Sequence, residues 1–326
     1  MRAAVIQKYG APPVCTEHTA PTPAEGEALI AVTAAPIIPL DLLCATGTSY
    51  FGSPPLPYVP GVQGVGRVVQ ATSVPEGARV WFPTTAGMRP GDGSMAELAR
   101  APEAELVMLP DAVDDTLVAA LGLSAVAGWM ALTWRARMQA GEQVLVLGAG
   151  GVVGQVAVQA ARLLGARRVL AACRSAQAQD RARACGADVV VPLQDDDSPA
   201  TLTARLAAAC DGPLDVVIDP LFGVPASAAA MLLGSRGRLV NLGSSAGDTA
   251  SFSSAHLRSH TASVLGYTNN DISVEERRQA LLAVLRHAVD SGLTVGHDVV
   301  PLEQVDAAWS RQADGSAPRR MVVQLG

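Results

Sequence analysis

Residues 143–166 constrain the fold of this chain more than any other segment, and they read QVLVLGAGGVVGQVAVQAARLLGA. The apolar run at 144–147 is short and ends at glycine, which is typical of a strand buried in a parallel sheet. An amphipathic helix follows the glycines and reaches Gly165. A second apolar run, residues 168–172, comes where a βαβ unit needs its next strand. The pattern therefore predicts strand, glycine turn, helix and strand in succession.

The glycine turn is the first candidate binding element. Glycines let a backbone turn tightly and approach a pyrophosphate, whose charge is stabilised by free N–H groups at the start of the helix. The alternative is an ordinary tight turn of an α/β protein. We favour a dinucleotide site, because the strand and helix around the glycines are those that the motif requires. The predicted contacts are Gly148, Ala149, Gly150, Gly151, Val152, Val153 and Gly154.

The end of the second strand indicates which dinucleotide is bound. An NAD site normally has an acidic residue there, on the ribose 2′-hydroxyl. This chain has Cys173 at that point, followed by Arg174 and Ser175. A guanidinium offers a planar set of donors that suits a phosphate, and the serine adds a hydroxyl. We therefore expect NADPH as the cofactor, the alternative being that Arg174 is only a solvated surface residue.

The composition is that of a globular chain with enough apolar residues for two domains. The 326 residues are 49% hydrophobic and 17% charged, with a formal net charge of −6. No basic patch stands out, so we expect no nucleic-acid partner. The N-terminus lacks the apolar core of a signal peptide, and the stretch at 118–132 looks too short and interrupted to span a membrane. The five cysteines show no CxxC spacing, so we expect reduced thiols and a cytoplasmic protein.

The pattern along the chain predicts two kinds of architecture. The first third has short β-like runs between turns rich in proline and glycine, at residues 2–7, 28–34, 66–70 and 78–82. Beyond residue 111, helices alternate with candidate strands at 143–147, 168–172, 188–192, 214–219 and 237–242. A further strand at 263–267, a helix at 273–291 and a last strand at 319–324 follow. This predicts an irregular β-barrel region and a doubly wound parallel sheet, an α/β fold.

Several segments, in their order and spacing, resemble the medium-chain dehydrogenase/reductase superfamily and its zinc-free quinone oxidoreductase branch. They are MRAAVIQKYG at the start, LPYVPGVQGVGRVV at 56–69, GSMAELARAPEAELVMLP at 93–110, ALGLSAVAGWMAL at 120–132 and RLVNLGSSAG at 238–247. The resemblance implies a GroES-like catalytic domain, residues 1–117 and 258–326, and a Rossmann NADPH-binding domain, residues 118–257. It also implies a homodimer, joined through the strand at 263–267.

The resemblance also bears on metal binding. Zinc-dependent members have a cysteine in the loop that here reads Ile38-Pro39-Leu40-Asp41, and a His–Glu pair where this chain has Val62-Gln63. A further ligand falls near Leu123. No side chain that normally binds zinc replaces the cysteine or the pair, and the cysteine cluster of the structural zinc is missing as well. We therefore expect no metal site.

Other site residues are those that the resemblance implies. Asp41 keeps the acid of an Asn-Pro-x-Asp stretch and is a candidate catalytic residue at the substrate. Tyr50 matches a tyrosine at the substrate mouth that could hydrogen-bond a carbonyl or supply a proton. The alternative for Tyr50 is an aromatic ring that only packs in its loop. Leu242, Gly243 and Ser244 match the segment beside the nicotinamide, and Tyr267 and Asn269 match the return loop over the cofactor. Ile38, Ala127 and Ala178 depart from the family pattern, and they leave the substrate open.

The expected activity is hydride transfer from NADPH to a small-molecule quinone or α,β-unsaturated carbonyl, because conjugation already activates such an acceptor. One alternative is reduction of another C=O, C=N or enoyl-thioester substrate. The other is a non-catalytic protein that binds NADPH and senses redox state.

Overall fold

The chain forms two units in the computed structural model, which describes all residues from Met1 to Gly326. One unit is Met1–Leu123 with Val274–Gly326, and the other is Ser124–Ser273. We expected the chain to return to the first domain at residue 258, but it returns at residue 274. The strand Ser263–Gly266 explains the difference, because it pairs with the strand Leu233–Asn241 of the second unit.

The elements follow in chain order. The first stretch contains β1 (Arg2–Val5), β2 (Val14–Glu17), β3 (Glu27–Pro36), α1 (Pro39–Ala45), β4 (Gln63–Gln70), β5 (Arg79–Pro83), β6 (Leu98–Pro102), β7 (Val107–Met108) and α2 (Asp115–Met130). The middle stretch contains β8 (Gln143–Leu147), α3 (Val152–Leu163), β9 (Arg168–Cys173), α4 (Ala176–Ala184), β10 (Val189–Pro192), α5 (Pro199–Ala209), β11 (Leu214–Asp219), α6 (Gly223–Ala230), β12 (Leu233–Asn241), α7 (Ser254–His260) and β13 (Ser263–Gly266). The last stretch contains α8 (Val274–Ser291), β14 (His297–Pro301), α9 (Val305–Ala313) and β15 (Arg320–Gln324).

The first unit is built on a largely antiparallel sheet with the strand path β14-β15-β3-β4-β5-β7, and β6 also pairs with β3. Strand β3 alternates half-buried and buried residues along most of its length, which is typical of a sheet with one face on a core. Ile30, Phe82 and Met95 lie in that core and are fully buried. This unit is the predicted GroES-like β domain.

The second unit is a six-stranded sheet with the order β10-β9-β8-β11-β12-β13, and every neighbouring pair is parallel. The order runs outward from β8 in one direction and from β11 in the other. The direction reverses between these two strands, and in open α/β sheets ligands bind at the carboxyl ends of the strands beside that point. The predicted doubly wound sheet is confirmed, and it places residue 148 at this crevice.

Both faces of this sheet are covered by helices. Val144 and Val146 of β8 pack in one apolar cluster with Ala157 of α3, whereas Leu145 and Leu147 pack in the opposite cluster, with α5. Since successive side chains of a strand point to opposite faces, a strand buried on both sides must be apolar throughout. This is why residues 144–147 read as an unbroken apolar run.

One helix is long and apolar enough, by length and composition, to cross a membrane. It comprises α2 and its continuation, Asp115–Arg135. The most apolar 18-residue segment of this helix is 72% buried inside the protein. We expected the apolar stretch at 118–132 to be too short, and the structure lengthens it at both ends. The burial is that of a core helix. Gly122 interrupts it with φ 32° and ψ −133°, next to the point where the chain passes between the units.

Candidate functional site

The glycine loop is shaped by close contacts that exclude side chains. Gly148 has φ +61°, a left-handed conformation that favours glycine. A Cβ at Gly154 would lie 2.4 Å from the Ala149 Cα, and one at Gly150 would lie 2.3 Å from the Ala178 Cβ. These glycines therefore serve the packing of α3 and α4 on the loop. Gly151 is different, because a Cβ there would meet only the Gly148 carbonyl at 3.6 Å.

The start of α3 offers free backbone donors. Gly151 is the N-cap, and the first amide with a helical partner is that of Gln155, which donates to the Gly151 carbonyl at 2.8 Å. The amides of Val152, Val153 and Gly154 have no acceptor, and the first turn holds no acidic side chain. Unpaired N–H groups and the positive end of a twelve-residue helix attract a phosphate. Together with the open space at Gly151, they fit the pyrophosphate of a dinucleotide.

Arg174 and Ser175 lie where β9 ends and α4 begins. The Arg174 side chain is 69% exposed, and its one ionic partner is Asp195, 3.5 Å away and still more exposed. Ser175 caps α4, since its hydroxyl oxygen accepts the Ala178 amide at 3.2 Å. The capping leaves the hydroxyl proton available as a donor. An exposed, weakly paired guanidinium beside a serine hydroxyl suits the 2′-phosphate of NADPH.

Cys173 closes β9 and is buried. Burial raises the pKa of its thiol to about 11, so the group is neutral at pH 7. The position therefore carries no negative charge that would repel a 2′-phosphate.

Two polar residues at the ends of β11 and β12 form a network that the sequence analysis missed. The Asp219 carboxylate is fully buried and accepts the amides of Leu221 and Phe222 at 2.9 and 2.8 Å. The Asn241 side-chain amide donates to Asp219 Oδ2 at 3.3 Å and to the Gly243 carbonyl at 2.7 Å. Burial raises the pKa of Asp219 while these donors lower it. The network fixes the loops after both strands, at the carboxyl edge of the sheet.

The predicted neighbours of the nicotinamide lie at this same edge. Leu242 donates its amide to the Asp219 carbonyl at 2.9 Å, and Ser244 is exposed two residues further on. A Cβ at Gly243 would lie 2.7 Å from the Pro220 carbonyl oxygen, so this loop tolerates only glycine without rearrangement. Next to it, Tyr267 donates its hydroxyl to Asn269 Oδ1 at 2.8 Å. The second unit therefore brings these predicted contacts and the glycine loop to one edge.

Asp41 is buried and bound to the backbone of two segments. Its side chain is 2% exposed, and its two carboxylate oxygens accept the amides of Ile38 and Val62, each at 2.9 Å. It thus joins the start of α1 to the segment before β4. Burial raises its pKa to about 6, against the opposing effect of these amides and of the buried Arg320 guanidinium. In this structure the Asp41 carboxyl group therefore supports the fold through its two backbone donors, and its catalytic role stays a prediction.

Tyr50 is the opposite case, because its side chain is 77% exposed. It lies in a tight turn closed by the Ser49–Gly52 bridge, and its ring contacts Phe51 at 4.2 Å between centroids. No hydrogen bond occupies its hydroxyl. An exposed, unpaired phenol remains available to a ligand, and the alternative of a ring that only packs stays open.

The positions that bind catalytic zinc in related enzymes hold other chemistry here. Gln63 is fully buried, and its Oε1 accepts the Trp81 indole N–H at 3.1 Å and the Leu123 amide at 2.7 Å. It therefore fills the space at the Gly122 kink with a neutral amide. No three His, Cys, Asp or Glu side chains lie close enough together to hold a metal ion. Metal independence itself stays a prediction.

Two family models match this chain. Residues 24–111 match the alcohol dehydrogenase GroES-like domain, and residues 152–286 match the zinc-binding dehydrogenase model. Among curated proteins, a quinone oxidoreductase of Pongo abelii is 30% identical over 100% of this chain and 98% of its own. One from Homo sapiens is 29% identical over the same shares.

Solved structures share the fold over the whole chain. The quinone oxidoreductase of Thermus thermophilus, solved alone and with NADPH, superposes with a TM-score of 0.83 at 28% identity, covering 100% of both chains. A mycobacterial quinone oxidoreductase gives 0.86 at 22% identity over 99% of both chains. These neighbours confirm a GroES-like domain combined with a Rossmann-like sheet.

Proposed function

Because the chain belongs to the quinone oxidoreductase family of the medium-chain dehydrogenase/reductase superfamily, we propose that it is an NADPH-dependent oxidoreductase that reduces quinones or α,β-unsaturated carbonyl compounds without a metal ion. The observation that carries the proposal is the second unit's phosphate site: an open Gly151, three unpaired amides, and an exposed arginine directly after the neutral Cys173 that replaces the usual acid. The NADPH complex of the Thermus thermophilus relative supports the same cofactor.

The chain's own residues would bind and orient the cofactor. Amides at the start of α3 would hold the pyrophosphate, and Arg174 with Ser175 would hold the 2′-phosphate. The Asp219–Asn241 network fixes the backbone at Leu242 and Gly243, so the loop expected beside the nicotinamide is rigid before binding. When bound, NADPH supplies a hydride, and conjugated acceptors need no metal ion to become electrophilic.

Tyr50 is the candidate proton donor or orienting group for the substrate oxygen. If it has this role, Tyr50→Phe should lower turnover on an accepted enone by about 100-fold. The loss on quinones should be smaller, since hydroquinone oxygens take protons from water. Cofactor affinity should stay unchanged. Steady-state kinetics on both substrate classes measures this, and unchanged turnover on the enone would remove Tyr50 from the mechanism.

The proposed function is tested by NADPH consumption with panels of quinones and enones, with and without a chelator. We expect turnover with at least one of the two panels, and the chelator should not reduce this turnover. Elemental analysis should find no stoichiometric zinc. Turnover only with isolated carbonyls, imines or enoyl thioesters would assign another reductase activity. NADPH binding without any turnover would indicate a redox sensor, and loss of activity with removal of a bound zinc would overturn the metal-free mechanism.

A further inference from the structure

A cavity of about 810 Å³ opens on the second unit, and none of its lining residues belongs to the glycine loop. Its wall includes Glu142, which precedes the first residue of β8, whereas the glycine loop follows the last residue of that strand. Five residues of strand span roughly 16 Å, so Glu142 and the glycine loop lie at opposite ends of β8. The other side of the cavity, at Trp134 and Arg135, reaches Tyr267 and Gly266 at the end of β13. The proposed oxidoreductase activity uses none of the residues that line this cavity.

The cavity is positively charged in a chain whose net charge is −6. Four arginines and one acid line it. Glu142 is already paired, since both of its carboxylate oxygens accept from Arg238, at 2.8 and 2.9 Å. The charges of Arg135, Arg137 and Arg236 are therefore not neutralised within the cavity. A concave surface with excess positive charge concentrates anions.

Two of these arginines are held in an unusual backbone conformation. The chain has four non-glycine residues with positive φ, and Arg137 (φ 50°) and Arg236 (φ 59°) are two of them. This conformation costs an ordinary residue free energy, and it sets the direction in which each side chain leaves the backbone. Both side chains are exposed, and no ion pair or side-chain hydrogen bond occupies either guanidinium. Both are available to a ligand.

A fixed aromatic face completes the cavity. The Trp134 ring is 41% exposed, and the Tyr267 ring packs edge-on against it at 6.2 Å between centroids. The Arg135 guanidinium lies 5.9 Å from the Trp134 ring centre, and its Nε donates to the Gly266 carbonyl at 2.8 Å. These contacts hold an indole surface beside unpaired guanidinium groups.

We propose that this cavity is a second binding site, for a small phosphate-bearing molecule with a planar ring, the chemistry of a nucleoside diphosphate. Arg137 and Arg236 would bind the phosphates through their planar donor sets, and Trp134 would stack on the ring. The volume lies within the range of small-molecule sites.

The test is calorimetric titration of ADP into the full chain with the cofactor site saturated by NADP⁺. We expect one ADP per chain. Arg137→Gln and Arg236→Gln should each weaken binding about tenfold, the scale of one charge-assisted hydrogen bond. Trp134→Leu should weaken the binding of ADP. The binding of tripolyphosphate, which has no ring, should stay unchanged.

Two control variants distinguish binding in the cavity from binding at the cofactor site and from a general effect of charge. Arg286→Gln removes an exposed, unpaired arginine on α8 and should leave ADP binding unchanged, as should Arg174→Ala. An absence of heat in the presence of NADP⁺ would overturn the proposal. So would equal losses in Arg286→Gln and Arg137→Gln, or a smaller particle mass in the Arg137 and Arg236 variants, which would make the cavity an interface between chains. Binding of NADP⁺ is measured first, so a failure of the proposed function is recognised separately.

Discussion

Arg174 is the residue that we expect to decide the choice of cofactor. Its only ionic partner, Asp195, is 3.5 Å away on the surface. Such an exposed ion pair is weak, so Asp195 competes little with a phosphate for the guanidinium. We predict that Arg174→Ala weakens NADPH binding by about 1.5–3 kcal/mol, the scale of charge-assisted hydrogen bonds. NADH binding should hardly change, because it lacks the 2′-phosphate.

Fluorescence titration of both nucleotides measures this difference. Arg183→Ala is the matched control, since this arginine lies on the helix that follows Arg174 but pairs with Asp180 at 2.8 Å. Equal losses for NADPH and NADH would show that Arg174 does not read the 2′-phosphate.

Asp41 gives the fold a specific pH dependence. Its folded pKa of about 6 lies above the ordinary value of 3.8, so burial favours the protonated form. The stability that it contributes is therefore present below pH 3.8 and is lost as pH rises through 6. The loss amounts to about 3 kcal/mol, from the free energy of one pKa unit.

The Asp41→Asn variant tests this shift. Its free energy of unfolding, relative to the wild type, should rise by about 2 kcal/mol between pH 4 and pH 7, because only the wild type has an ionisable group at this position. An offset that is independent of pH will accompany it, since an amide has one acceptor oxygen where the carboxylate uses two. Urea unfolding at several pH values measures the difference, and a constant difference would contradict the raised pKa.

At the scale of elements, two glycines of the glycine loop have different roles: Gly150 serves the packing of α4, whereas Gly151 leaves space for the cofactor. Gly150→Ala would bring its Cβ within 2.3 Å of the Ala178 Cβ, so α4 must move. We predict a loss of about 1–3 kcal/mol in unfolding free energy, as for other overpacked sites. Ala178→Gly in the same chain should recover part of it, because the clashing methyl is gone.

Gly151→Ala is the comparison within the same loop. Its Cβ meets nothing closer than 3.6 Å, so the unfolding free energy should change little. NADPH affinity should fall, because the new methyl would occupy the open space before the helix. Denaturant unfolding and nucleotide titration of both variants check the pair, and equal destabilisation by the two substitutions would refute the packing argument.

At the scale of the whole molecule, strand β13 bears on assembly. It lies at one edge of the six-stranded sheet, pairs only with β12, and its first three residues are half-buried. An edge strand with unpaired backbone groups is a site of association unless it is covered. We predict a homodimer that pairs through this strand, with a particle mass twice that of the chain by light scattering.

The Gly266→Lys variant tests the interface. A Cβ at Gly266 meets no atom within 4 Å, so the fold tolerates the substitution, whereas a lysine at a paired edge disfavours association. The variant should be shifted towards monomer at micromolar concentration. Ala313→Lys, at an exposed position of α9, adds the same charge and should stay dimeric. A monomeric wild type, or a dimeric Gly266→Lys, would contradict the prediction.

The sequence by itself determined the sheet of the second unit. The strands at 143–147 and 214–219 were predicted with the bounds they have, because each centres on a short apolar run, 144–147 and 216–218, that lies between polar or glycine residues. Strand β12 begins at Leu233. The sequence predicted a start at 237 because the Gly-Ser-Arg-Gly stretch before it has the composition of a turn. Strand β14 was missed because it is short, half-exposed and at the edge of its sheet.

Only the tertiary structure decided which polar residues are buried and what they bind. Asp41 has the spacing of a site residue, yet its oxygens accept amides from two segments 24 positions apart, Ile38 and Val62. Asp219 and Asn241 form a network because parallel strands end at the same edge, which no local pattern reveals. Local periodicity fixes the backbone path, whereas the burial and pairing of a polar group depend on residues that are distant in the chain and near in space.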